Sequence, residues 1–498
     1  MLYLLTSFWA VDKEKALEGF LKYLPGVLCF LLLMQFEEKD KNKLFDVIPL
    51  SGAVMCVLSY LLGQIPMLNS YFFSENGRLV GFFQYSNSFS LYLLIGIVSI
   101  ANKDKADIKD KIFLLILVVG ILLTGSRITF LLTLVYGIYQ VIKRRKNIKQ
   151  VTLLIGIILL GICTAIVLLL IIGKIDVIFR LLKISFGEST FIGRVIYFLD
   201  GLKILANNPM GLGYMGYSYV YPQIQTANYT VKFVHNDFLQ QALDTGIISA
   251  IILMYLFFSN ILSKKTPILK RELLIIMFVH MLFDFDMQFL VLHFIFVMLL
   301  EQTEESVKYY KLPKSKIINA MIIVMPVIIF GYFCVGTLAD NLGNYELALE
   351  LLPNKTSTNI KKMQQTKSLT EANEIADDLL KNNKYVYTAF KVKTGYALNT
   401  KNWKQMIENQ KKAIELNKYD IKEYEEYVLM ISSALEQTVK QSKEETKYLL
   451  EELQKINELL EQTKQETSPL AYKIVDRPEL EMSSEIITYL EKLNKGGQ

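Results

Sequence analysis

The chain has 498 residues, 52% of them hydrophobic, and a formal net charge of +6. Soluble proteins reach a similar apolar share, so the distribution of apolar residues decides the class. From Met1 to about Gly336 they form blocks of roughly 15 to 23 residues, long enough for helices that cross a bilayer. After Leu338, lysine, glutamate, asparagine and glutamine dominate. The composition predicts a transmembrane domain, 1–338, and a soluble helical domain, 339–498.

Lysine and arginine cluster in short loops between the apolar blocks, which excludes a nucleic-acid-binding surface as the source of the positive charge. The positive-inside rule places these loops in the cytoplasm. The clusters are Lys39–Lys43, Lys103–Lys111, Lys143–Lys149, Lys264–Arg271 and Lys308–Lys316.

Two apolar stretches, 112–142 and 272–300, each join two of these basic loops, so each must cross the membrane an even number of times. We therefore expect two pairs of short helices, with outward turns near Thr124–Arg127 and Asp284–Asp286. The other expected spans are 1–11 (a short piece), 17–36, 45–65, 80–101, 151–173, 236–258 and 317–338. The predicted fold is all-α, a polytopic membrane bundle of about eleven crossings with its N-terminus inside. Residues 174–235 and the soluble domain then lie on the extracytoplasmic side of the membrane.

Three arginines lie on the expected outer face. Arg78 precedes a span, Arg127 lies at the first outward turn, and Arg194 opens a helix of the long outer loop. Arginine near a membrane is costly and usually functional, and several guanidinium groups can hold a phosphorylated ligand through bidentate contacts. The alternative for each is a side chain that reaches lipid phosphate.

The outer loop itself, 174–235, is too long for a simple connector. We predict two amphipathic helices in it, Lys174–Phe186 and Arg194–Leu205, lying along the membrane surface. The run Pro209–Tyr221 is rich in glycine and tyrosine and predicts a flexible backbone with exposed phenol rings that suit sugars. A tight loop with interfacial tyrosines is the alternative.

His235 begins the next span and can serve as a general base near neutral pH, or as an anchor at the headgroups. Asp237 and Gln240 have the spacing of a capping box, so we expect Asp237 to cap a helix. His280, Asp284 and Asp286 lie in the second helix pair, where ionisable groups often mark function but can also be hydrated near a turn.

Five motifs in chain order resemble the bacterial O-antigen ligase and polymerase superfamily. They are Arg78–Asn87, Thr124–Arg127, Gly193–Arg194, Asn208–Gly213 and His235–Gln240. Each motif is weak alone, and their order and spacing make the set specific. The resemblance covers roughly residues 20–300.

The resemblance implies a glycosyltransferase at the outer face of the inner (cytoplasmic) membrane, working without metal, cofactor or nucleotide sugar. It implies transfer of a glycan from undecaprenyl diphosphate to an acceptor glycan, protein or lipid, in cell-surface polysaccharide biosynthesis. Arg127 and Arg194 would bind the diphosphate, and His235 would act at the acceptor or the diphosphate; these three are the expected catalytic residues. The expected substrate-binding residues are Arg78, Asn87, Ser126, Tyr214 and Asn236.

Ligase and polymerase differ in the acceptor, which the motifs do not distinguish. A transporter of lipid-linked glycans is a rival interpretation, although it predicts internal repeats and charges near the bilayer midplane, and neither pattern is present. A non-enzymatic assembly scaffold is another.

The soluble domain contains three similar stretches, 344–353, 369–383 and 403–417. The last two end about 34 residues apart, the period of tetratricopeptide repeats, which stack into concave surfaces that bind protein partners. An unrelated helical bundle is the alternative. Residues 434–466 are rich in glutamate, lysine and glutamine and predict a long solvated helix or hairpin.

Overall fold

The computed structural model describes residues 2–34, 36, 38–103, 105–183, 185, 187–300 and 315–496. Lys308, Lys311 and Lys314 of the last basic cluster, and Phe186 at the end of the first amphipathic stretch, lie outside the described residues. Within these ranges the chain is helical, with one isolated β-bridge between Phe73 and Leu79 and no strand. The all-α fold class is confirmed.

The helices of the membrane region follow the apolar blocks. They are α1 (Leu2–Thr6), α2 (Lys13–Leu33), α3 (Glu38–Leu62), α4 (Asn69–Phe72), α5 (Ser86–Ala101), α6 (Ile108–Thr124), α7 (Arg127–Lys143), α8 (Ile148–Ile171), α9 (Asp176–Leu182), α10 (Ser189–Asn207), α11 (Gly216–Ile224), α12 (Asp237–Thr245), α13 (Ile247–Leu262), α14 (Ile268–Met281), α15 (Leu290–Leu299) and α16 (Lys316–Asn341). Short 3₁₀ turns occupy Pro66–Leu68, Gly81–Phe83 and Asp286–Gln288.

The tail continues as α17 (Tyr345–Leu351), α18 (Thr356–Gln365), α19 (Leu369–Asn382), α20 (Tyr387–Asn399), α21 (Trp403–Leu416), α22 (Ile421–Thr438), α23 (Lys443–Gln454), α24 (Ile456–Glu466) and α25 (Ser484–Gly496). A 3₁₀ turn, Pro469–Lys473, follows α24. Consecutive helices from α16 to α23 pack side by side. The helices α19 and α21 begin about 34 residues apart, as the period predicts, and the tetratricopeptide assignment and the boundary at residue 338 stay predictions.

Helix α5 lies at the centre of the membrane region. Every residue from Ser86 to Ile100 is buried, and α3, α6, α7 and α14 pack around it. In contrast, α8 exposes large apolar side chains such as Leu159 and Ile171, as expected for a helix that faces lipid. The first turn of α5 is therefore held in place by the helices packed around it.

Among the described helices, α2, α8 and the part Lys43–Leu62 of α3 are long and apolar enough to cross a membrane. Shorter apolar helices are Ser86–Ala101, Ile247–Leu262, Leu290–Leu299 and Val327–Asn341. Both expected helix pairs are confirmed, as α6 with α7 and α14 with α15. Helix α1 has five residues, about 7.5 Å, which is shorter than a full span, and the expected first crossing at 1–11 stays a prediction. The total of about eleven crossings stays a prediction.

The expected span 236–258 is interrupted, because α12 and α13 are separated by Gly246 with φ of +91°. The run Asn208–Gly213 packs directly on this break. A Cβ on Gly211 would approach the Gly246 nitrogen to 2.6 Å. Glycine is therefore needed where the two backbones meet.

The tyrosine-rich run is not a flexible loop with exposed rings, as its composition predicts. Part of it forms α11, and Tyr214, Tyr217 and Tyr221 are all buried. Tyr217 and Tyr221 stack with ring centroids 5.3 Å apart, so the rings form an apolar core for the outer loop.

The expected solvated helix at 434–466 is divided among the end of α22, α23 and α24. Its leucines Leu449, Leu453 and Leu460 are buried against α22 and the rest of the tail core. The charged residues cover the outer side of this amphipathic pair, which is why the composition suggested full solvation.

Candidate active site

The turn between α6 and α7 places two arginines. Gly125 ends α6 with φ of +59°, and a Cβ there would lie 2.9 Å from Val177 Cγ1. Helix α7 then begins at Arg127, while the Thr124 carbonyl accepts a hydrogen bond from Arg78 Nε at 2.8 Å. One turn therefore orients both Arg78 and Arg127.

His235 stands immediately before α12 in a left-handed conformation with φ of +55°. Asn236 is the helix cap, because its side-chain oxygen accepts from the Leu239 N–H at 2.9 Å. Asn236 Nδ2 also donates to the Leu282 carbonyl at 3.0 Å, which ties the helix start to the turn after α14. The expectation that Asp237 is the cap is wrong by one residue. Its carboxylate is buried and accepts from the Met287 N–H instead.

A cavity of about 240 Å³ opens where these turns meet. Its lining residues are Arg78, Tyr85, Asn87, Arg127, Ile128, Arg180, Thr190, Arg194, Tyr197 and His235. Within the described part of the chain, four arginines from four separate elements face this cavity. The loop before α5, the start of α7 and the helices α9 and α10 supply them.

Asp284 is buried beside this cavity and joins its parts. Its carboxylate accepts hydrogen bonds from the Tyr85 hydroxyl at 2.6 Å, from Asn87 Nδ2 at 2.6 Å and from Arg194 Nη2 at 3.1 Å. His235 Nδ1 lies 3.4 Å from Asp284 Oδ1, close enough for attraction but long for a hydrogen bond. The carboxylate thus holds Arg194 on one side of the cavity, with the imidazole of His235 beside it.

The arginines of the cavity differ in how their charge is balanced. Burial, with the neighbouring Arg180 adding to its effect, lowers the pKa of Arg78 to about 10. Burial also lowers the pKa of Arg180, with Arg127 adding to the effect. Burial is the largest single influence on Arg194 and lowers its pKa, but Asp284, Tyr85 and Asp286 together outweigh it, so the pKa of Arg194 is raised. Arg78 and Arg180 therefore carry positive charge that nearby carboxylates do not fully offset.

Arg127 lies at the rim and makes three contacts. It donates to the Arg180 carbonyl at 3.1 Å, to Thr190 Oγ1 at 3.2 Å and to Glu188 Oε2 at 3.2 Å. A cation in the first turn of a helix is disfavoured by the helix dipole by about 0.3–1 kcal/mol. Its presence there, together with the N-terminus of α7 itself, favours an anion in the cavity.

A buried donor without an acceptor also favours an anion in the cavity. Arg180 Nε is buried without a hydrogen-bond acceptor among the residues that the structure describes. A buried donor without a partner costs about 1–3 kcal/mol, which a phosphate oxygen would recover.

Aromatic rings surround the imidazole of His235. Its ring centroid lies 4.9 Å from that of Phe285 and 5.9 Å from that of Tyr197. Tyr85 packs on the same Phe285 ring at 4.6 Å. The histidine is thus held at the cavity wall with its rotation restricted.

Five of the expected site residues line the cavity: Arg78, Asn87, Arg127, Arg194 and His235. Ser126, Tyr214 and Asn236 do not line it. Ser126 is buried and donates to Thr129, and Asn236 caps α12. Tyr214 belongs to a separate cluster, where its hydroxyl accepts from Lys22 Nζ at 2.8 Å. The chemical roles of all eight residues stay predictions.

Tyr85, Arg180 and Tyr197 also line the cavity and were not among the expected residues, whereas Asp284 was considered only as an ionisable group that marks function or is hydrated near a turn. Arg180 lies in the first predicted amphipathic stretch, and the argument applied to Arg194 would have found it. Asp284 stood at an expected outward turn, but its position in the sequence does not show that it faces Arg194.

A second polar network lies behind the cavity and is fully buried. Asp286 Oδ2 is 2.5 Å from His280 Nδ1, and Asp286 Oδ1 accepts from Ser88 at 2.7 Å. His280 Nε2 lies 3.1 Å from Thr129 Oγ1. This network links α5, α7 and α14 beneath the site. In the described ranges no group of three or more His, Cys, Asp or Glu side chains is arranged to hold a metal ion.

The comparison with protein families finds a match to the O-antigen ligase family over residues 112–254. Comparisons with curated proteins and with solved structures found no match. Arg127, Arg180, Arg194 and His235 fall inside the matched segment, while Arg78, Asn87 and Asp284 come from outside it. The match supports a membrane protein of the glycan ligase or polymerase kind. Through residues 112–254 the chain matches the O-antigen ligase family, which confirms the resemblance found in the sequence.

Proposed function

We propose that the protein transfers or polymerises a glycan, taking it from undecaprenyl diphosphate and attaching it to an acceptor hydroxyl in cell-surface polysaccharide biosynthesis. The observation that carries the proposal is the excess of guanidinium groups in one cavity, beside a histidine held near a buried carboxylate. The reaction would take place at the outer face of the cytoplasmic membrane.

The donor half of the site suits a diphosphate leaving group. Arg78, Arg127 and Arg180 can each present two donors to phosphate oxygens, and the start of α7 adds its dipole. As the bond between the anomeric carbon and the diphosphate oxygen breaks, negative charge grows on the leaving group. Preorganised cations stabilise that charge more than they stabilise the bound substrate, which lowers the barrier.

The acceptor half centres on His235. The acceptor oxygen forms a new bond to the anomeric carbon, and its proton passes to the imidazole, a step worth about 10²–10⁴-fold. Asp284, 3.4 Å from Nδ1, would stabilise the imidazolium that results. A single in-line displacement inverts the configuration at the anomeric carbon. Arg194, already paired with Asp284, would link the two halves.

The acceptor is proposed only as a class: a glycan, a protein or a lipid that offers a hydroxyl group. A polymerase would use a second lipid-linked glycan, and a ligase a different molecule. A protein partner for the tail also stays a proposal.

Transfer by purified protein tests the proposal. Protein in detergent would be incubated with a glycan on undecaprenyl diphosphate and with a candidate acceptor, and the product measured by mass spectrometry. Arg127→Ala should lower kcat by about 10²–10³-fold, the usual cost of one transition-state donor. Arg145→Ala, in the exposed basic loop after α7, removes the same side chain away from the cavity and should leave transfer unchanged.

The rival functions give different results in this assay. A transporter or a scaffold forms no new glycosidic bond in detergent, where no membrane separates two compartments. Product formed at equal rates by the wild type and by Arg127→Ala would remove the proposed mechanism.

A further inference from the structure

The polypeptide that follows α24 returns to the membrane region and packs on the outer loop. We define this return segment as residues 468–477. Its Ser468 N–H donates to the Thr226 carbonyl at 2.8 Å, and its Val475 N–H donates to Ser189 Oγ at 2.9 Å. Ala471 and Ile474 are buried in the same apolar cluster as Ile192 and Ile196 of α10.

Helix α10 has two faces, and the cavity occupies one of them. Thr190, Arg194 and Tyr197 line the cavity, at the spacing of one helical stripe. Ile192 and Ile196, which flank Arg194 in the sequence, point to the buried cluster that the return segment completes. The apolar residues of α10 in the cluster that the return segment completes therefore stand two residues before and two residues after Arg194 in the sequence.

The middle of α10 is held by a second set of contacts, which the return segment reaches through Thr226. Asp200 accepts hydrogen bonds from the Thr226 N–H at 2.8 Å and from the Tyr229 hydroxyl at 3.0 Å. The carbonyl of Thr226 is the group that Ser468 contacts. The return segment thus contacts α10 directly at its start and indirectly through Thr226 at its middle.

The return segment also reaches the rim of the cavity. Burial raises the pKa of the Tyr197 phenol, and the nearby Asp476 carboxylate raises it further. Tyr197 lines the cavity and packs against His235. The negative charge of Asp476, in the tail, therefore acts on Tyr197 in the cavity wall.

We infer that the return segment is a positioning element of the transferase site, which holds α10 so that Arg194 stays against Asp284. The inference rests on the proposed function and gives the tail a role within the same polypeptide. Arg194 and Asp284 form their ion pair at 3.1 Å, and a shift of α10 would open it. Because well-packed interiors move as units, loss of a buried side chain between the tail and α10 changes the position of the arginine.

Two variants and two readouts test the inference. Ile474→Ala removes buried contact with the α10 cluster, and Ser189→Ala removes the acceptor of the Val475 bond with little risk to folding. The readouts are the affinity for inorganic pyrophosphate, measured by calorimetry, and kcat for transfer. We expect Ile474→Ala to weaken at least one of them about tenfold or more, since a displacement of about 1 Å can cost about 100-fold. Ile474→Val should restore most of the loss.

A double-mutant cycle separates positioning from general damage. If Ile474 acts through Arg194, adding Ile474→Ala to Arg194→Ala should cause no further loss. The matched control is Leu480→Ala, which removes an equally buried aliphatic side chain from the apolar cluster of the tail that contains Leu449, Leu453 and Leu460. It should lower the stability of the tail and leave pyrophosphate affinity unchanged.

Three results would overturn the inference: wild-type behaviour of both Ile474→Ala and Ser189→Ala, additive losses with Arg194→Ala, or equal losses in the Leu480→Ala control. A wild-type protein that binds no pyrophosphate would instead remove the proposed function itself. The two failures are therefore distinguishable.

Discussion

At the scale of single residues, two aspartates of one turn face different networks. Asp284 accepts from Tyr85, Asn87 and Arg194, whereas Asp286 contacts Ser88 and His280. Both carboxylates therefore hold the first turn of α5, one from the cavity side and one from the core. Their functional consequences should differ accordingly.

Replacing Asp284 by asparagine should damage catalysis more than donor binding. The amide keeps the volume but loses the charge that orients Arg194 and would stabilise the protonated His235. Loss of the orienting aspartate in a serine protease triad costs about 10⁴-fold, which sets the upper scale, and we expect a fall in kcat of about 10²–10⁴-fold. The KM for the lipid-linked donor should not rise, because the loss of one negative charge makes the cavity more attractive to a diphosphate. Steady-state kinetics measure both.

Asp286→Asn provides the comparison. Removing one partner of a buried ionic contact destabilises proteins by about 3–5 kcal/mol, so this variant should lose folded protein. The fraction that remains folded should turn over normally. Equal kinetic defects in the two variants would show that the turn acts only as a structural unit.

The sequence predicts the charged groups of the site better than their partners. Arg78, Arg127, Arg194 and His235 can be found because an ionisable side chain at a membrane is costly and usually functional wherever it points. Ser126 and Asn236 are adjacent to two of them, yet they turn inward to a helix network and a helix cap. Their direction depends on local backbone geometry, which motif spacing does not contain.

At the scale of secondary-structure elements, the α6–α7 turn orients two arginines of the site. Its Gly125 adopts φ of +59° and closely approaches Val177 on α9. The neighbouring Thr124 carbonyl holds Arg78, and the following helix begins at Arg127. A change in this turn should therefore move two arginines together.

Gly125→Ala should lower both stability and transfer. The left-handed conformation costs an L-residue about 1–2 kcal/mol, and the added Cβ would meet Val177 Cγ1 at 2.9 Å. We expect the free energy of unfolding to fall by about 1–3 kcal/mol, with kcat reduced at least about tenfold in the folded protein. Thermal unfolding in detergent and transfer kinetics give the two values.

Gly137→Ala is the matched control on the same helix. A Cβ at Gly137 meets nothing within 4 Å among the described atoms, and its φ is not in the left-handed region. Alanine in a helix interior is favoured over glycine by about 1 kcal/mol, so this variant should be as stable as the wild type or more so. An equal loss in both variants would contradict the role assigned to the turn.

The helix pairs could be predicted from charge, because basic loops on one side require an even number of crossings between them. Breaks within a predicted span could not be predicted from the sequence. The interruption at Gly246 depends on the approach of Gly211, about 35 residues earlier in the chain, and close backbone contacts leave no periodic signal. The tyrosines of the outer loop likewise became core because several helices of that loop pack together.

At the scale of the whole molecule, the tail and the outer loop lie on the same side of the membrane region. Gln223 Nε2 donates to Glu415 at 3.2 Å, and Thr356 donates to Asp12 at 2.7 Å, so α11 and the start of α2 both contact tail residues. The cavity opens among elements of the same loop. Sequence patterns placed both regions outside separately, but they held no information about the contact between them.

Labelling of single cysteines in intact cells should show which side this is. In a variant without the 4 native cysteines, Val475→Cys would report the tail, since this side chain is 81% exposed. Arg127→Cys would report the cavity rim, and Lys146→Cys the exposed basic loop. A membrane-impermeant maleimide should label the first two in intact cells and the third only after permeabilisation, because the positive-inside rule predicts that Lys146 lies in the cytoplasm.

Labelling of Val475→Cys and Arg127→Cys from opposite sides would be incompatible with the packing of the return segment on α10. Labelling of all three from outside would show that the basic loop is not cytoplasmic and that the assignment of crossings between Arg127 and Lys146 is wrong.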